Sequence, residues 1–271
     1  MNILDKIVAN KQEEVNATKN KVSVKELKYY RHFSAPVTSM KDNLKKSDFP
    51  VIAEFKRQSP SKGLIHADAK VEKIIPGYAN AGVAGISVLT DFHFFGGCNN
   101  DLSKARDLTD TPIIRKEFII DPYQVYEAKA IGASTILLIA SILKKKQARE
   151  LAALANYLGL EVLMELHDEN EVEILNSYVD MVGINNRNLK TFEVDLQHAA
   201  NLISMLPAHI LPIAESGIHS AEDFRFLQNA GFKGFLMGEY FMKHADPAQV
   251  CADFKAEVTS IKGLLRKNLP I

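Results

Sequence analysis

The sequence predicts a single (β/α)8 barrel, the TIM-barrel architecture, with an N-terminal helical extension, and two observations carry that prediction. Eight short β-prone runs recur along the chain, and helical patterns fill most of the intervals between them. The runs are VIAEF from 51, GISVL from 85, PIIRK from 112, TILLI from 135, EVLME from 161, MVGIN from 181, LPIAE from 211 and GFLMG from 234. Their starts lie roughly 20 to 35 residues apart, about the length of a strand plus a returning helix. Runs that are apolar throughout, rather than alternating, suit parallel strands covered on both faces. A doubly wound open sheet is the alternative, but it usually carries a GxGxxG turn after its first strand, and here that stretch reads EFKRQSPSKG.

Taken in order, residues 1–48 form the extension. Ile3, Leu4, Ile7 and Val8 fall at helical spacing, and the segment is rich in lysine and glutamate, so it reads as helix that caps the barrel bottom or covers its mouth. Residues 49–271 form the barrel, with helical patterns at 123–130, 144–158, 169–175 and 221–229. The 271 residues are close to the roughly 250 of a typical eight-fold barrel.

Composition limits the partners. Thirty-three basic residues balance 33 acidic ones, so no overall positive field exists to attract nucleic acid or an anionic membrane. A small-molecule partner is expected. The two cysteines, Cys98 and Cys251, lie far apart and form no CxxC, which argues against a disulfide framework or a structural zinc. The longest mostly apolar stretch, 133–143, is shorter than the about 20 residues that span a bilayer. Charges follow the first apolar residues at once, unlike a secretory leader. A cytoplasmic location without a membrane segment is expected.

The chemistry of such a barrel sits at the C-terminal ends of its strands, where the loops converge on one mouth. Glu54 and Lys56 close the first run, Lys116 the third and Glu165 the fifth. Asn185 and Arg187 follow the sixth, and Glu215 with Ser216 the seventh. Any one of them also fits a solvated or ion-paired strand end. Their joint placement at five strand ends points to a site. Glu215-Ser216-Gly217 and Gly238-Glu239 put small residues after the seventh and eighth strands, where barrels commonly hold a phosphate on backbone N–H groups. Tight turns are the plainer reading of the same glycines. The aromatic cluster Phe92, Phe94 and Phe95, flanked by His93 and Gly96-Gly97, suits either a loop that covers an apolar substrate or packing on the rim. The eight histidines show no HxH or HExxH, and His167-Asp168 reads as the polar opening of the fifth loop, so no metal site is expected.

Four segments resemble one family in consistent order. IAEFKRQSPSKG at 52–63, IIRKEFIIDPYQVYEAK at 113–129, VGINNRNL at 182–189 and AESGI at 214–218 are similar to signature segments of indole-3-glycerol phosphate synthases. The resemblance runs from about Val51 to Met242. It implies a (β/α)8 enzyme of tryptophan biosynthesis without cofactor or metal, converting 1-(2-carboxyphenylamino)-1-deoxy-D-ribulose 5-phosphate to indole-3-glycerol phosphate with loss of carbon dioxide and water. By the same resemblance, Lys116 is the general acid, Glu165 the general base or proton relay, and Lys56 a second cation that holds the substrate carboxylate. Glu54 orients the lysines, and Asn185 and Arg187 face the reacting sugar carbons and the carboxylate. Ser59, Phe95, Phe118, Leu137 and Leu189 line the substrate, and Glu215, Ser216, Gly217, Gly238 and Glu239 form the phosphate loop. A carboxylate at 239 would repel a phosphate unless its side chain points away. The chain departs from the family pattern at Glu117, Asn188 and Cys98.

Burial and Lys56 would lower the pKa of Lys116, and Glu165 would raise it, so acidity is expected to belong to a coupled triad. The resemblance implies a monomer, with association among enzymes of the same pathway as an option. Phosphoribosylanthranilate isomerase, another phosphate-binding barrel, relies on a Cys and Asp pair, and no strand here ends in cysteine at the required place. A non-catalytic barrel that only binds would tolerate loss of Lys116, yet every proposed proton-transfer group is retained.

Overall fold

Each of the eight β-prone runs forms a strand in the computed structural model, which describes residues 3–187 and 195–267. The strands are β1 (Val51–Phe55), β2 (Gly85–Leu89), β3 (Ile113–Lys116), β4 (Thr135–Ile139), β5 (Glu161–Leu166), β6 (Met181–Asn185), β7 (Leu211–Glu215) and β8 (Gly234–Met237). All pair in parallel with their neighbours in chain order, and β1 pairs with β8 through Val51 and Phe235 to close the barrel. The (β/α)8 expectation holds. The helices α1 (Ile3–Lys21), α2 (Val24–Leu27) and α3 (Met40–Lys46) precede the barrel. Those that return between strands include α4 (Val71–Ala81), α5 (Asn99–Leu108), α6 (Pro122–Ala130) and α7 (Lys145–Tyr157).

One helical expectation changes in kind. Residues Glu169–Ile174 form a 3-10 helix rather than an α-helix. Its start is fixed by side chains. Asp168 accepts from the backbone N–H of Asn170, and Glu171 accepts from that of His167.

Two apolar layers follow from the strands' double coverage. Inside the barrel Ile52, Ile114, Leu163, Met181 and Ile213 pack together, while the outer layer joins strand residues such as Val88, Ile136 and Phe235 to the helices. The N-terminal extension contributes to the inner layer at both ends. Below, Met40 and Leu44 of α3 press against Gly85 and Gly234, the first residues of β2 and β8; a Cβ on Gly85 would stand 2.8 Å from Met40 Cε. Ser39 caps α3 by accepting from Asp42 N–H, and the carboxylate of Glu161, first residue of β5, accepts from Ser39 Oγ and the N–H groups of Met40 and Lys41. An anion at a helix N-terminus is stabilised by the orphan N–H groups there. Above, α1 lies over the mouth with Ile3, Leu4 and Ile7 facing the cavity. The extension therefore caps the bottom and covers the mouth. Among the described residues no helix is long and apolar enough to cross a membrane.

Candidate active site

The strand ends bring Glu54, Lys56, Lys116, Glu165, Asn185, Arg187 and Glu215 to one cavity at the barrel mouth. Lys116 Nζ donates to Glu165 Oε2 at 3.0 Å and to Glu215 Oε2 at 2.5 Å. The other oxygen of Glu165 accepts from Asn185 Nδ2 at 3.1 Å and lies 3.0 Å from His167 Nε2. Lys56 pairs with Glu54 at 2.6 Å, while Ser87 Oγ donates to the second oxygen of Glu54. Strand register dictates these meetings. Glu165 is level with Gly183 on β6, and Asn185 is level with Glu215 on β7. Gly183 makes room for the Glu215 side chain, since a Cβ there would stand 1.9 Å from Oε1.

The electrostatics differ from the expected triad. Burial by itself would lower the Lys116 pKa, but Glu165, Glu215 and Glu54 outweigh it and hold the ammonium charged well above its ordinary value. Burial would raise Glu165, yet Lys116, His167 and Asn185 together draw its carboxyl below the usual range. Glu215 goes the other way. Burial, reinforced by the charges of Glu165 and Glu54 and opposed by Lys116, lifts it to about 7. The direct partners of Lys116 are thus Glu165 and Glu215, whereas Lys56 is held by Glu54. Glu215, expected beside a phosphate, has its carboxylate on Lys116.

The walls divide by polarity. Phe95 and Phe118, their ring centroids 5.8 Å apart, join Leu137 and Ile139 as an apolar side that α1 completes. Of the aromatic cluster, Phe95 faces the cavity and Phe92 is exposed. On the polar side Ser59 is buried, and Arg187 donates to Glu239 Oε2 at 3.1 Å. The other oxygen of Glu239 pairs with Lys62 at 3.2 Å, so its side chain bridges two cations from the first and sixth loops. Ser216 and Gly217 both adopt positive φ, 65° and 74°, which turns the chain sharply after β7. Gly238 lies against Glu54; a Cβ would stand 2.4 Å from its Oε1. Leu189 lies outside the described residues.

The family model for indole-3-glycerol phosphate synthase matches residues 4–254. The chain belongs to the indole-3-glycerol phosphate synthase family. Family members of that name from Bacteroides thetaiotaomicron and Neisseria meningitidis are 48% and 44% identical to it, over 93% and 90% of this chain and 97% and 95% of theirs. A third, from Thermoanaerobacter pseudethanolicus, is 41% identical over 94% of this chain and 98% of its own. Among solved structures, thiamine phosphate pyrophosphorylase from Pyrococcus furiosus aligns with a TM-score of 0.59 at 14% identity, covering 82% of this chain and 99% of that one. N-acetylmannosamine-6-phosphate 2-epimerase from Clostridium perfringens aligns equally well at 16% identity, covering 83% and 96%. At such identities these two share the fold alone.

Several residues of this family member escaped the sequence reading. His167 opens the fifth loop, and its ring nitrogens are buried beside Glu165. Lys11, in an ordinary amphipathic pattern, is fully buried and pairs with Asp91 and Glu117 at 3.0 and 2.9 Å. Arg57 ties the first loop to the second through Asp101 and the carbonyl of Gly96. Lys11 and Arg57 carry no local signal for these pairings, because Asp91, Glu117 and Asp101 are distant in sequence, whereas His167 lies two residues from Glu165 and its strand-end position was the available signal. Among the described residues no three His, Cys, Asp or Glu side chains are grouped to hold a metal ion.

Proposed function

We propose that the cavity closes the indole ring of indole-3-glycerol phosphate from 1-(2-carboxyphenylamino)-1-deoxy-D-ribulose 5-phosphate, releasing carbon dioxide and water, with Lys116 as the principal acid. The observation that carries this reading is the buried Lys116 ammonium between two carboxylates at the meeting of an apolar and a basic wall. The apolar wall of Phe95, Phe118 and Leu137 suits the anilino ring. The cations Lys56, Lys62 and Arg187 suit the carboxylate and phosphate at its two ends. With Ser59, Ser216, Gly217, Gly238 and the backbone of Glu239, Lys56 and Arg187 line the anion-binding end of the pocket, and Lys62 reaches it through Glu239.

In this reading the ring carbon attacks the substrate ketone while Lys116 protonates the ketone oxygen. General acid assistance of this kind is typically worth about 10² to 10⁴-fold. A lysine held above its ordinary pKa is a weaker acid in the empty site. Its neighbours keep it protonated until substrate displaces or neutralises one of them, and Glu215 near 7 is the neighbour best able to accept a proton. The carboxylate leaves as carbon dioxide, its bonding pair returning to the ring. Holding that anion tightly would stabilise the ground state, so the task of Lys56 and Arg187 is orientation. The hydroxyl then departs as water with a second proton, and Glu165 takes the adjacent C–H proton.

This reading carries a cytoplasmic location, supported by two free cysteines, and a monomeric enzyme acting on a small anionic substrate. The test is to mix the purified protein with the anilino-deoxyribulose phosphate and follow indole fluorescence without added nucleotide or metal. Indole product is expected. Its absence overturns the assignment.

A further inference from the structure

The reaction has a proton balance that the site must meet. One proton goes to the ketone oxygen and one to the departing hydroxyl, while one C–H proton is removed. Carbon dioxide leaves neutral from a carboxylate. Each turnover therefore consumes one proton from solvent, and that proton must reach a Lys116–Glu165–Glu215 cluster whose side chains are 2 to 13% exposed. The substrate itself would block the direct way in from the mouth.

His167 supplies a second route. Its Nε2 stands 3.0 Å from Glu165 Oε1, and its Nδ1 faces Glu171 Oε2 at 3.9 Å, a gap that a small rotation of the Glu171 side chain closes to a hydrogen bond. Glu171 lies on the 3-10 helix after β5, and its side chain is 19% exposed. The three residues form a line of carboxylate, imidazole and carboxylate from the cavity floor to the outer face of the fifth loop. Glu171 also accepts from the His167 backbone N–H at 2.7 Å, which fixes the loop that holds the ring.

We propose that His167 is a positioning and proton-relay residue, which returns one solvent proton per turnover to Glu165 and Lys116 through Glu171. His167 takes a proton at Nδ1 from the Glu171 side, and the resulting imidazolium gives its Nε2 proton to Glu165 Oε1; the Glu165 carboxyl then rotates to pass that proton to Lys116 once that amine has given up its own. No oxidant or other reactant is needed, and charge balances because carbon dioxide leaves neutral and the incoming proton neutralises the negative charge that stays behind with its bonding pair. The charged groups that act on the ring agree with the task. Burial would lower its pKa, but Glu165, Glu171 and, from β7, Glu215 outweigh it and raise it above the ordinary 6.5. Lys116 sits on the far oxygen of Glu165 and not on the ring. The carboxylates around the ring favour its protonated form, while Lys116 is held charged and Glu165 ionised.

The proposal rests on the ring-closing reading, and wild-type turnover tests that reading separately. Given turnover, two variants are compared with the wild type by kcat, KM and their pH dependence. His167→Gln keeps an amide donor for Glu165 but exchanges no proton, and His167→Ala leaves a space. Both are expected to lose about tenfold or more in kcat with little change in KM, as for the loss of one proton-transfer group. Added imidazole should restore kcat in the alanine variant and not in the glutamine one. The wild-type kcat should decline as pH rises through the raised imidazole pKa, and that limb should vanish in His167→Gln. A glutamine variant within twofold of wild type overturns the relay. So does a loss in both variants that imidazole leaves untouched with the pH profile unchanged, which is the signature of a purely structural role.

Discussion

Two lysines in this barrel, Lys11 buried and Lys116 half-buried, each sit between two buried carboxylates, and consecutive residues of the chain serve the two clusters. Lys116 lies between Glu165 and Glu215; Lys11 of α1 lies between Asp91 and Glu117. The distances are alike, 2.5 to 3.0 Å, and in both clusters the carboxylates outweigh burial and hold the ammonium charged. The surroundings differ. Lys11, Asp91 and Glu117 are 0 to 2% exposed, and Thr90 and the N–H of Phe118 saturate Glu117 further. Lys116 is 13% exposed at the floor of an open cavity, with a carboxyl beside it near its midpoint at neutral pH. A closed cluster locks α1 over the mouth. An open one keeps protons available to whatever binds.

The largest effect that can break this comparison is Lys116→Met. Turnover should fall by about 10² to 10⁴-fold, or roughly 3 to 5 kcal/mol of barrier. Stability should change by less than about 2 kcal/mol, because Glu215 can take a proton and water can enter the cavity. Steady-state kinetics beside a thermal melt checks both halves. Full activity, or a collapse of the melt, would make Lys116 a structural lysine like Lys11.

Lys11→Met is the mirror experiment. Removing Lys11 takes the paired cation from the buried carboxylates of Asp91 and Glu117, at a cost of about 3 to 5 kcal/mol. The melting temperature should fall by roughly 10 °C. At a temperature where the variant stays folded, kcat should fall less than about tenfold, and KM should rise as Ile3, Leu4 and Ile7 loosen over the cavity. Urea unfolding and kinetics on one preparation separate the two.

How much of this contrast was legible in the sequence depends on range. The strands were, because parallel strands buried on both faces need unbroken apolar runs, and all eight begin within one residue of the runs that predicted them. The rim positions of Glu54, Lys116, Glu165 and Asn185 were legible too, since strand ends fix height in the barrel. Azimuth was not. That Glu215 rather than Lys56 reaches Lys116 depends on register across β5, β6 and β7 and on the missing Cβ of Gly183, which nothing local to either residue reveals. Lys11 was hidden for a similar reason: its pairing with Glu14 is an ordinary helix-surface pattern, and the buried partners Asp91 and Glu117 are 80 and more residues away.

Glu215 sharpens the comparison through pH. Its folded value of about 7 stands above the ordinary 4.5, so the folded protein binds more protons than the unfolded chain in the window between them. Stability should therefore fall as pH rises from about 4.5 to 7, by an amount of order 2 kcal/mol. Glu165, shifted downward, has the opposite slope, but only below its ordinary 4.5, so the two windows do not overlap. Glu215→Gln should flatten the upper window and leave the lower one. Urea midpoints at pH 5 and pH 7.5, in roughly equal ionic strength so that screening is constant, would show it; an unchanged slope would mean that Lys116 keeps Glu215 ionised throughout.

The smallest expected effect comes from a half-buried carboxylate at the opposite end of the same strands. Glu161 is held by Ser39 and the first N–H groups of α3, with no cation among these contacts. Ser39→Ala removes one donor to Glu161 and the cap of α3, at a cost of about 1 kcal/mol. Because Glu161 begins β5 and Glu165 lies near its end, the variant also asks whether strain passes along the strand from the barrel bottom to the mouth. A close-packed strand held by neighbours on both sides should absorb the change locally, so kcat and KM should match the wild type while the melt shifts by a few degrees. A fall in kcat beyond about twofold would show that the bottom plug helps set the geometry of Glu165, and the division between a closed structural end and an open chemical end would have to be redrawn.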